Sequence, residues 1–467
     1  MDSFLQEIDT TLLKKWLLNQ SDEDYVVKED NDNIIIETKY GLGYVNFYPN
    51  CMIELVVENK YNQEKEYFIH FQMKNFNHAL GLLYDMKVCL QSLKKKEKTK
   101  VLLSCSSGLT TGYFVDKLNE AALLLDKPYE FCVSSYNLLY EKAKECEVVL
   151  LAPQISYHLV DVKKVFKNKL VLTIPSVLFG KYDVGMMFDF LDKEINSRKE
   201  IVLENNNPLP IKHTLRKHGQ VLALAFIRLG QRVRLASRVY NDNDLILEDD
   251  EIYKSSISID DIVDFINTIL YKYPKIELIS ISLPGIVYNG VVNLKKYGLD
   301  NCHLQVFLEN KYQQKIVINN DVNTIVVGYY ISQDEYDSIS FLYQSRIGSS
   351  GEVGHIHRGH LIKGRHNIAG EIQYLPVSFS DNYENIKMTP KGALEWSTKY
   401  CLGITSMIAP EAIIIYNRLL SDEEELKDEM AKYMPRDYLP DIIKIESLRE
   451  YMLLGCIYLG VKEMDCS

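Results

Sequence analysis

A single cysteine followed by small and hydroxylated residues is the segment best suited to chemistry. Cys105 follows the apolar run 101–103 and precedes Ser106, Ser107, Gly108, Leu109, Thr110 and Thr111. Apolar residues then recur at spacings of three and four over 114–125, which predicts a helix. A loop between a strand and a helix N-terminus presents free N–H groups to phosphate and favours a thiolate. Cys105 is therefore a candidate phosphoryl acceptor, and the alternative is a small buried cysteine in an ordinary strand-to-helix turn.

A second candidate is an Asn-Asp pair at the end of another apolar strand. Asn320 and Asp321 follow residues 316–318 and precede a predicted helix. An aspartate in such a loop could take a proton from a substrate hydroxyl. The alternative is that Asp321 caps the helix, and the spacing alone favours the cap.

The cysteine loop carries a family resemblance. Residues 105–111 resemble the active loop of lactose/cellobiose-type IIB proteins of the bacterial phosphotransferase system, and the resemblance continues through 148–157 and 178–181. In that family the cysteine accepts phosphate from a IIA phosphohistidine and passes it to a sugar at the permease. The resemblance implies a phosphocysteine at Cys105, a phosphate cradle formed by residues 106–111, and a IIA phosphocarrier or permease as partner. A low-molecular-weight phosphatase would need Arg where Thr111 stands.

From about residue 219 onward the chain resembles the ROK family of sugar kinases and sugar-responsive repressors. The segments that carry this resemblance are 279–287, 317–323, 359–364, 369–372 and 392–395. The resemblance implies a two-lobed actin-like fold and a homodimer. It also implies that four side chains hydrogen-bond the hydroxyls of a sugar or phosphosugar: Asn320, Asp321, Glu371 and Glu395. Asp321 would be the base in a working kinase.

The nucleotide side departs from the ROK pattern at three places. The hairpin at 225–234 lacks the family's acid and keeps only Gly230 of its glycines. Glu352 stands where a glycine would admit phosphate, and Tyr416-Asn417 replaces a Gly-Gly pair. A carboxylate facing triphosphate is repulsive, and its Cβ blocks close backbone approach. We therefore predict a pseudokinase that does not use Mg-ATP.

The zinc site of the ROK family is also missing from the sequence. Tyr374 stands at the family's His position and Ala393 at one Cys position, and no cysteine lies between 303 and 400. A run of four histidines could suggest a replacement metal site: His355, His357, His360 and His366. No carboxylate or cysteine shares their spacing, so we expect neither zinc nor another metal.

Composition limits the remaining function classes. The net charge of −11 over 467 residues argues against a DNA-binding surface, and no helix-turn-helix pattern is visible. Nine cysteines without a C-x-x-C pair fit reduced thiols in the cytosol better than a disulfide framework. No apolar run approaches the roughly 18 residues of a membrane span, and no signal pattern is present. We expect a cytoplasmic protein.

The predicted fold class is α/β with several domains. Residues 1–95 read as a small α+β module of unknown role, with a helix, an antiparallel sheet and a second helix. Residues 100–195 alternate four strands with helices, including helices at 136–145 and 157–167, which predicts a doubly wound parallel sheet. Residues 219–467 form the two-lobed domain, after linkers at 93–100 and 205–210.

These observations predict a sugar-linked sensor or regulator. It would join a sugar-binding domain without a working ATP site to a domain that reports phosphotransferase activity through Cys105. Three alternatives stay open: an active ATP-dependent sugar kinase, a phosphotransferase component that transfers phosphate through Cys105, and a transcriptional regulator of the ROK repressor type.

Overall fold

The structure is a computed structural model. It describes residues 3–21, 25–31, 33–60, 63–93, 98–106, 109–125, 127–166, 169–202, 208–212, 219–229, 232–241, 243, 245–288, 290–294, 299–344, 351–386, 389–417, 419–420 and 422–464.

The N-terminal module is an antiparallel sheet flanked by two helices, as the sequence predicts. Its elements are α1 (Ser3–Leu18), β1 (Tyr25–Asp30), β2 (Asn33–Thr38), β3 (Gly41–Tyr48), β4 (Met52–Asn59), β5 (Lys65–Gln72) and α2 (Phe76–Ser92). Alternate residues of β2 and β3 are buried, because successive side chains of a strand point to opposite faces. The Asn75 side chain caps α2 by accepting the His78 N–H.

The IIB-like segment has its own four-stranded parallel sheet in the order β7-β6-β8-β9. Its elements are β6 (Thr99–Cys105), α3 (Leu109–Leu124), β7 (Tyr129–Ser135), α4 (Leu139–Lys142), β8 (Val148–Leu151), α5 (Leu159–Val165), β9 (Leu170–Thr173), α6 (Ser176–Lys181) and α7 (Val184–Val202). The doubly wound prediction is confirmed, with two local differences. The helix expected over 136–145 is broken into a 3₁₀ turn, one turn of α-helix and a second 3₁₀ turn. A 3₁₀ segment, Pro153–His158, replaces the start of the helix expected over 157–167.

The third region begins with lobe 1. Its elements are β10 (Gln220–Leu229), β11 (Arg232–Tyr240), β12 (Ile246–Lys254), α8 (Ile259–Lys272), β13 (Ile276–Leu283), β14 (Val287–Tyr288), β15 (Val291–Leu294), β16 (Leu299–Cys302), α9 (Leu304–Lys311) and β17 (Lys315–Asn320). Strands β10 to β12 are antiparallel, whereas β13 and β17 run parallel to β10. Polar residues after the strands β13 and β17 therefore meet at one edge.

Lobe 2 has a five-stranded sheet in the order β20-β19-β18-β21-β22. Its elements are α10 (Asp321–Ser332), β18 (Ile339–Tyr343), β19 (Glu352–His357), β20 (His360–Leu361), α11 (Tyr383–Ile386), α12 (Pro390–Ile408), β21 (Ala412–Tyr416), α13 (Glu423–Met430), β22 (Asp441–Lys444) and α14 (Arg449–Met464). Helix α10 contacts β18 and β19, α14 contacts β10 and β13, and the two helices pack on each other. They join the lobes as a largely buried pair.

The N-terminal module and lobe 1 share one sheet and one hydrophobic core. Phe68 of β5 pairs with Tyr253 of β12, which extends the lobe 1 sheet to ten strands. A charged contact supports the junction, because Lys254 Nζ lies 2.7 Å from Asp85 and 2.9 Å from Asp261. The module from residues 1–95 is thus packed onto lobe 1 rather than separate from it, which the sequence did not indicate.

No helix among the described residues combines the length and the apolar character that crossing a bilayer requires.

Candidate functional site

The Asn-Asp pair lies where β17 passes into α10, at the edge of lobe 1. Asn320 caps the helix: its Oδ1 accepts the Asn323 N–H at 2.9 Å, and its Nδ2 donates to the Gly285 carbonyl at 3.0 Å. The cap that the spacing favoured for Asp321 is therefore made by Asn320 instead. Asp321 Oδ1 accepts the Val322 N–H at 2.9 Å.

Two more carboxylates come from lobe 2. Glu352 begins β19, and Glu371 follows Gly370 in a turn that closes against this strand. Gly370 has a φ of +89°, and a Cβ there would lie 1.7 Å from the Val353 carbonyl oxygen. Only glycine allows this approach. The Val353 N–H donates to the Gly370 carbonyl at 2.9 Å, which holds the turn beside the start of β19.

A second glycine brings α10 against the same strand. A Cβ on Gly354 would lie 2.9 Å from the Val322 carbonyl oxygen and 2.8 Å from Val326 Cγ1. Because Gly354 has no Cβ, the first turn of α10, which carries Asp321, packs directly on β19. The first turn of α10, the start of β19 and the turn after Gly370 therefore contribute side chains to one carboxylate cluster, formed by Asp321, Glu352 and Glu371.

Electrostatics within the carboxylate cluster favours the protonated forms. Burial and the negative charges of Glu352 and Glu371 raise the pKa of Asp321 well above its usual range. Burial and the Glu371 charge raise the pKa of Glu352 to about 7. Burial also raises the pKa of Glu371. Among the described residues no lysine or arginine forms an ion pair with any of the three.

Glu395, the fourth predicted sugar ligand, has other partners. It lies on α12, where its carboxylate accepts the Ser380 N–H at 2.8 Å and the Lys399 ammonium at 2.7 Å. Burial opposes its ionisation, but the Lys399 and Ser380 hydrogen bonds prevail and lower its pKa. Its predicted sugar contact stays a prediction, and its electrostatic environment is opposite to that of the carboxylate cluster.

A cleft of about 410 Å³ adjoins Asn320 and lies between α9 of lobe 1 and the 363–367 loop of lobe 2. It is lined by amide side chains, among them Gln305, Asn319 and Asn323. Asn319 is buried, and its Nδ2 has no hydrogen-bond partner in the described part of the chain. In the sequence, Asn319 and Asn323 stand out only as part of the 317–323 segment, and their combination with Gln305 depends on the packing of α9.

Large side chains lie at the end of the lobe 2 sheet where the ROK resemblance predicts a nucleotide. Strands β18 and β21 are parallel neighbours that end at Tyr343 and Tyr416, whose rings lie 5.9 Å apart. Asn417 follows and is only 4% exposed. Its Nδ2 donates to Gln344 Oε1 and lies 3.5 Å from Ser397 Oγ. Large side chains thus close the end of the sheet where the family has glycines. The hairpin tip 230–231 and residues 345–350 lie outside the described residues.

The structure also describes two positions where the ROK pattern has zinc ligands, and the run of four histidines. Tyr374 is exposed, whereas Ala393 is buried in α12. His355 is buried, its Nδ1 lies 2.8 Å from Ser340 Oγ, and burial lowers its pKa to about 4. His357, His360 and His366 are exposed. No group of three potential metal ligands is assembled among the residues that the structure describes.

Cys105 lies where the sequence places it, at the carboxyl end of β6 and just before the N-terminus of α3. Its side chain is 5% exposed and belongs to the hydrophobic core that contains Leu103 and Phe114. The thiol therefore adjoins a helix N-terminus but is mostly enclosed. Transfer of phosphate to Cys105 would require the loop to expose its sulfur.

The predicted phosphate cradle is described only in part. Ser106 is exposed, and Ser107 and Gly108 lie outside the described residues. Leu109 and Thr110 form the start of α3. Thr111 is fully buried, and its hydroxyl has no partner among the described residues. The cradle assignment for 106–111 stays a prediction.

Comparison with known proteins supports the interpretation of the two-lobed region. Residues 233–392 match a family model described as ROK family. These residues are a ROK-family domain. The carboxylate cluster lies within the matched range, whereas Glu395, Tyr416 and Asn417 lie beyond it.

Solved structures of ROK proteins are similar over about half of the chain. A ROK hexokinase from Thermus thermophilus has 15% identity, covers 53% of this chain and 100% of its own, and has a TM-score of 0.43. A ROK family protein from Streptococcus pneumoniae in complex with sucrose has 15% identity, the same coverages and a TM-score of 0.42. A lactose-specific IIB component domain from Streptococcus pneumoniae has 20% identity, covers 24% of this chain and 100% of its own, and has a TM-score of 0.17.

Proposed function

We propose that this protein is a sugar-responsive regulator whose ROK domain binds a sugar or phosphosugar without using ATP. The observation that carries the proposal is the contrast within the ROK domain. Asp321 and Glu371, two of the three predicted sugar-binding carboxylates, share one cluster, whereas bulky side chains fill the predicted nucleotide end of the lobe 2 sheet.

The position of Glu352 argues against phosphoryl transfer. In a kinase, the γ-phosphate must approach the sugar hydroxyl that the base activates, and catalysis consists largely of charge stabilisation. Glu352 is close enough to raise the pKa of Asp321. It would therefore place a second negative charge where a kinase places a cation. Protonation of Glu352 near pH 7 would reduce this repulsion but would supply no positive charge.

Calorimetric titration of the full-length protein tests the proposal. The ligands are hexoses, disaccharides including sucrose, their 6-phosphates, and Mg-ATP. We expect binding of at least one sugar, a loss of at least about tenfold in affinity for Asp321→Asn, which corresponds to about 1.4 kcal/mol, and no binding of Mg-ATP. The exposed Glu335→Gln is the matched control. Saturable Mg-ATP binding, or no sugar binding by the folded protein, would contradict the proposal.

An active sugar kinase is the second candidate, because a buried aspartate with a raised pKa suits a general base. A coupled assay of ADP release with the sugars that bind separates the two. The regulator hypothesis predicts no release above the ATP-only background. Release that disappears in Asp321→Asn would establish the kinase instead.

We also propose that the IIB-like segment reports phosphotransferase activity through Cys105. The support is the placement of the thiol at a strand end next to the N-terminus of α3, together with the buried, unpartnered Thr111 hydroxyl. A phosphate would add roughly −1.5 to −2 charges to this core-facing position and would force the loop to rearrange. Such a rearrangement could alter contact with a IIA phosphocarrier, a permease or a second copy of the chain.

Incubation with a phosphorylated IIA protein of the lactose/cellobiose type tests this second proposal. We expect a phosphorylated peptide that contains Cys105, its loss in Cys105→Ser, and its retention in Cys302→Ser. If phosphate then passes from Cys105 to sugar in the presence of a permease, the protein is a transfer component rather than a reporter. If wild-type protein takes up no phosphate from any IIA donor tested, the proposal fails.

A further inference from the structure

Two other thiols of the IIB-like segment lie in contact. Cys132 is in the middle of β7, and Cys146 follows the 3₁₀ turn Ala143–Glu145 just before β8. Their sulfur atoms are 3.3 Å apart. Cys132 pairs with Leu102, three residues before Cys105, and Cys146 lies before the amino end of β8, so the pair is away from the loop after Cys105. The pair therefore plays no part in the phosphate site considered above.

The Cys132 sulfur is accessible to a reagent, whereas Cys146 is buried and its backbone is held by a hydrogen bond. Cys146 is 3% exposed, and the Lys169 ammonium fixes its backbone by donating to its carbonyl at 2.6 Å. Cys132 is partly exposed, and both cysteines line an open cleft of about 430 Å³. Lys100 and Lys142 line the same cleft together with Glu130, Glu141 and Glu145, so its charged lining is mixed.

We propose that Cys132 and Cys146 are a reversible disulfide site. The Cys132 thiolate attacks a low-molecular-weight disulfide such as glutathione disulfide, forms a mixed disulfide and releases one glutathione thiolate. Cys146, after loss of its proton, then attacks the Cys132 sulfur and releases the second glutathione. Both cysteines lose one electron and one proton, and two glutathione molecules are formed. The sulfurs need to approach only from 3.3 Å to about 2.05 Å.

The Cys132 thiol reacts slowly at neutral pH. Burial and the hydrogen bond with Cys146 raise the pKa of Cys132 to about 12, so little thiolate is present at neutral pH. Disulfides in cytosolic proteins are usually transient or redox-sensing rather than structural. The cross-link would tie β7 to the segment before β8 across the intervening β6, and would fix the broken helical segment 136–145.

The test uses the full-length protein equilibrated in glutathione buffers from fully reduced to fully oxidised, then alkylated and digested with trypsin. We expect the peptide spanning 118–142 to be joined to the peptide spanning 145–163, with a mass about 2 Da below the sum of the two. Cys132→Ser should abolish the link completely, and Cys302→Ser should leave it unchanged. The link should disappear on return to reduced glutathione.

Two outcomes overturn the proposal. One is a wild-type protein that carries only glutathione adducts, or no modification, at the most oxidising ratio. The other is a link that forms only after urea unfolds the chain. A thermal melt of the same sample shows whether the chain was folded when the link formed. The result for the wild-type protein does not depend on any variant, so it decides the proposal even if a cysteine variant does not fold.

Discussion

The sugar side and the nucleotide side of the ROK domain differ in what their backbone permits. On the predicted sugar side, glycine at 370 and 354 keeps backbone segments close, so carboxylates from α10, β19 and the turn after Gly370 form one cluster. On the nucleotide side, glycine positions are occupied by Glu352, Tyr416 and Asn417, and the latter two side chains are buried. Both sides are well packed. The two sides therefore differ in whether small or large side chains stand where the backbone segments meet.

The largest expected effect comes from adding a Cβ on the sugar side. Gly370→Ala would put a methyl group 1.7 Å from the Val353 carbonyl oxygen at a φ of +89°. We expect a loss of about 3–5 kcal/mol in the free energy of unfolding, and loss of sugar binding because Glu371 moves. Urea unfolding and calorimetric titration measure these effects.

The control is Gly403→Ala in α12, where nothing lies within 4 Å of the added Cβ. This change should stabilise the protein by about 0.5–1 kcal/mol. Equal stability of the two variants would show that the close approach at Gly370 is not needed.

A smaller effect is expected from neutralising Glu352. Its pKa is about 7 in the folded protein and 4.5 in the reference state, so the folded state holds its proton more tightly. Its contribution therefore destabilises the fold progressively as pH rises from about 4.5 past 7. Glu352→Gln should stabilise the protein by about 1–3 kcal/mol at pH 8 and have little effect at pH 4.5.

Thermal melts at pH 4.5, 6, 7 and 8 measure this dependence, with Glu335→Gln as a control of the same charge change. If both variants give the same pH profile, Glu352 is not electrostatically coupled to Asp321 and Glu371.

On the nucleotide side, Asn417→Ala should cost about 1–3 kcal/mol. The variant removes the amide that pairs with Gln344 and contacts Ser397, and so leaves a buried amide without its partner. Sugar affinity should not change, because the Asn417 side chain hydrogen-bonds with Gln344 and the Leu419 N–H rather than with the carboxylate cluster. Chemical denaturation and titration of the same preparation test both parts. A large loss of sugar affinity would show that the two sides are coupled.

The smallest effect is expected at Glu395. Glu395→Gln weakens a partly exposed pair with Lys399, so the stability change should be about 0.5 kcal/mol or less. Sugar affinity should fall by about threefold, or about 0.7 kcal/mol, less than for Asp321→Asn. Titration of both variants with the same sugar decides this order. A greater loss for Glu395→Gln would place the main sugar contacts on α12.

Much of the architecture could be predicted from local patterns. Alternating apolar residues indicate the N-terminal strands, and the continuous apolar run 101–103 indicates a buried parallel strand. The predicted helix over 136–145 is wrong in detail. The sequence pattern is helical, but both ends of this segment form 3₁₀ turns. Helix propensity does not distinguish an α-helix from 3₁₀ turns in a short connection between two strands.

The residues of the carboxylate cluster were visible in the sequence, but their grouping was not. Asp321 and Glu371 came from a family pattern, and Glu352 was interpreted only as an obstacle to phosphate. The three are up to 50 positions apart, and no periodicity relates them. Their proximity depends on Gly370 and Gly354, where the absence of a side chain lets distant backbone segments meet.

By itself the sequence determined the order of the regions, the strand ends that carry Cys105 and Asp321, and the absence of glycine where the ROK resemblance expects it on the predicted nucleotide side. These follow from residue type and near-neighbour spacing. Tertiary structure alone decided that residues 1–95 extend the lobe 1 sheet, that Asn320 caps α10, that Cys105 is enclosed, and that Cys132 meets Cys146. Each of these depends on contacts between residues far apart in the chain or on a choice among equivalent local conformations, and packing makes that choice.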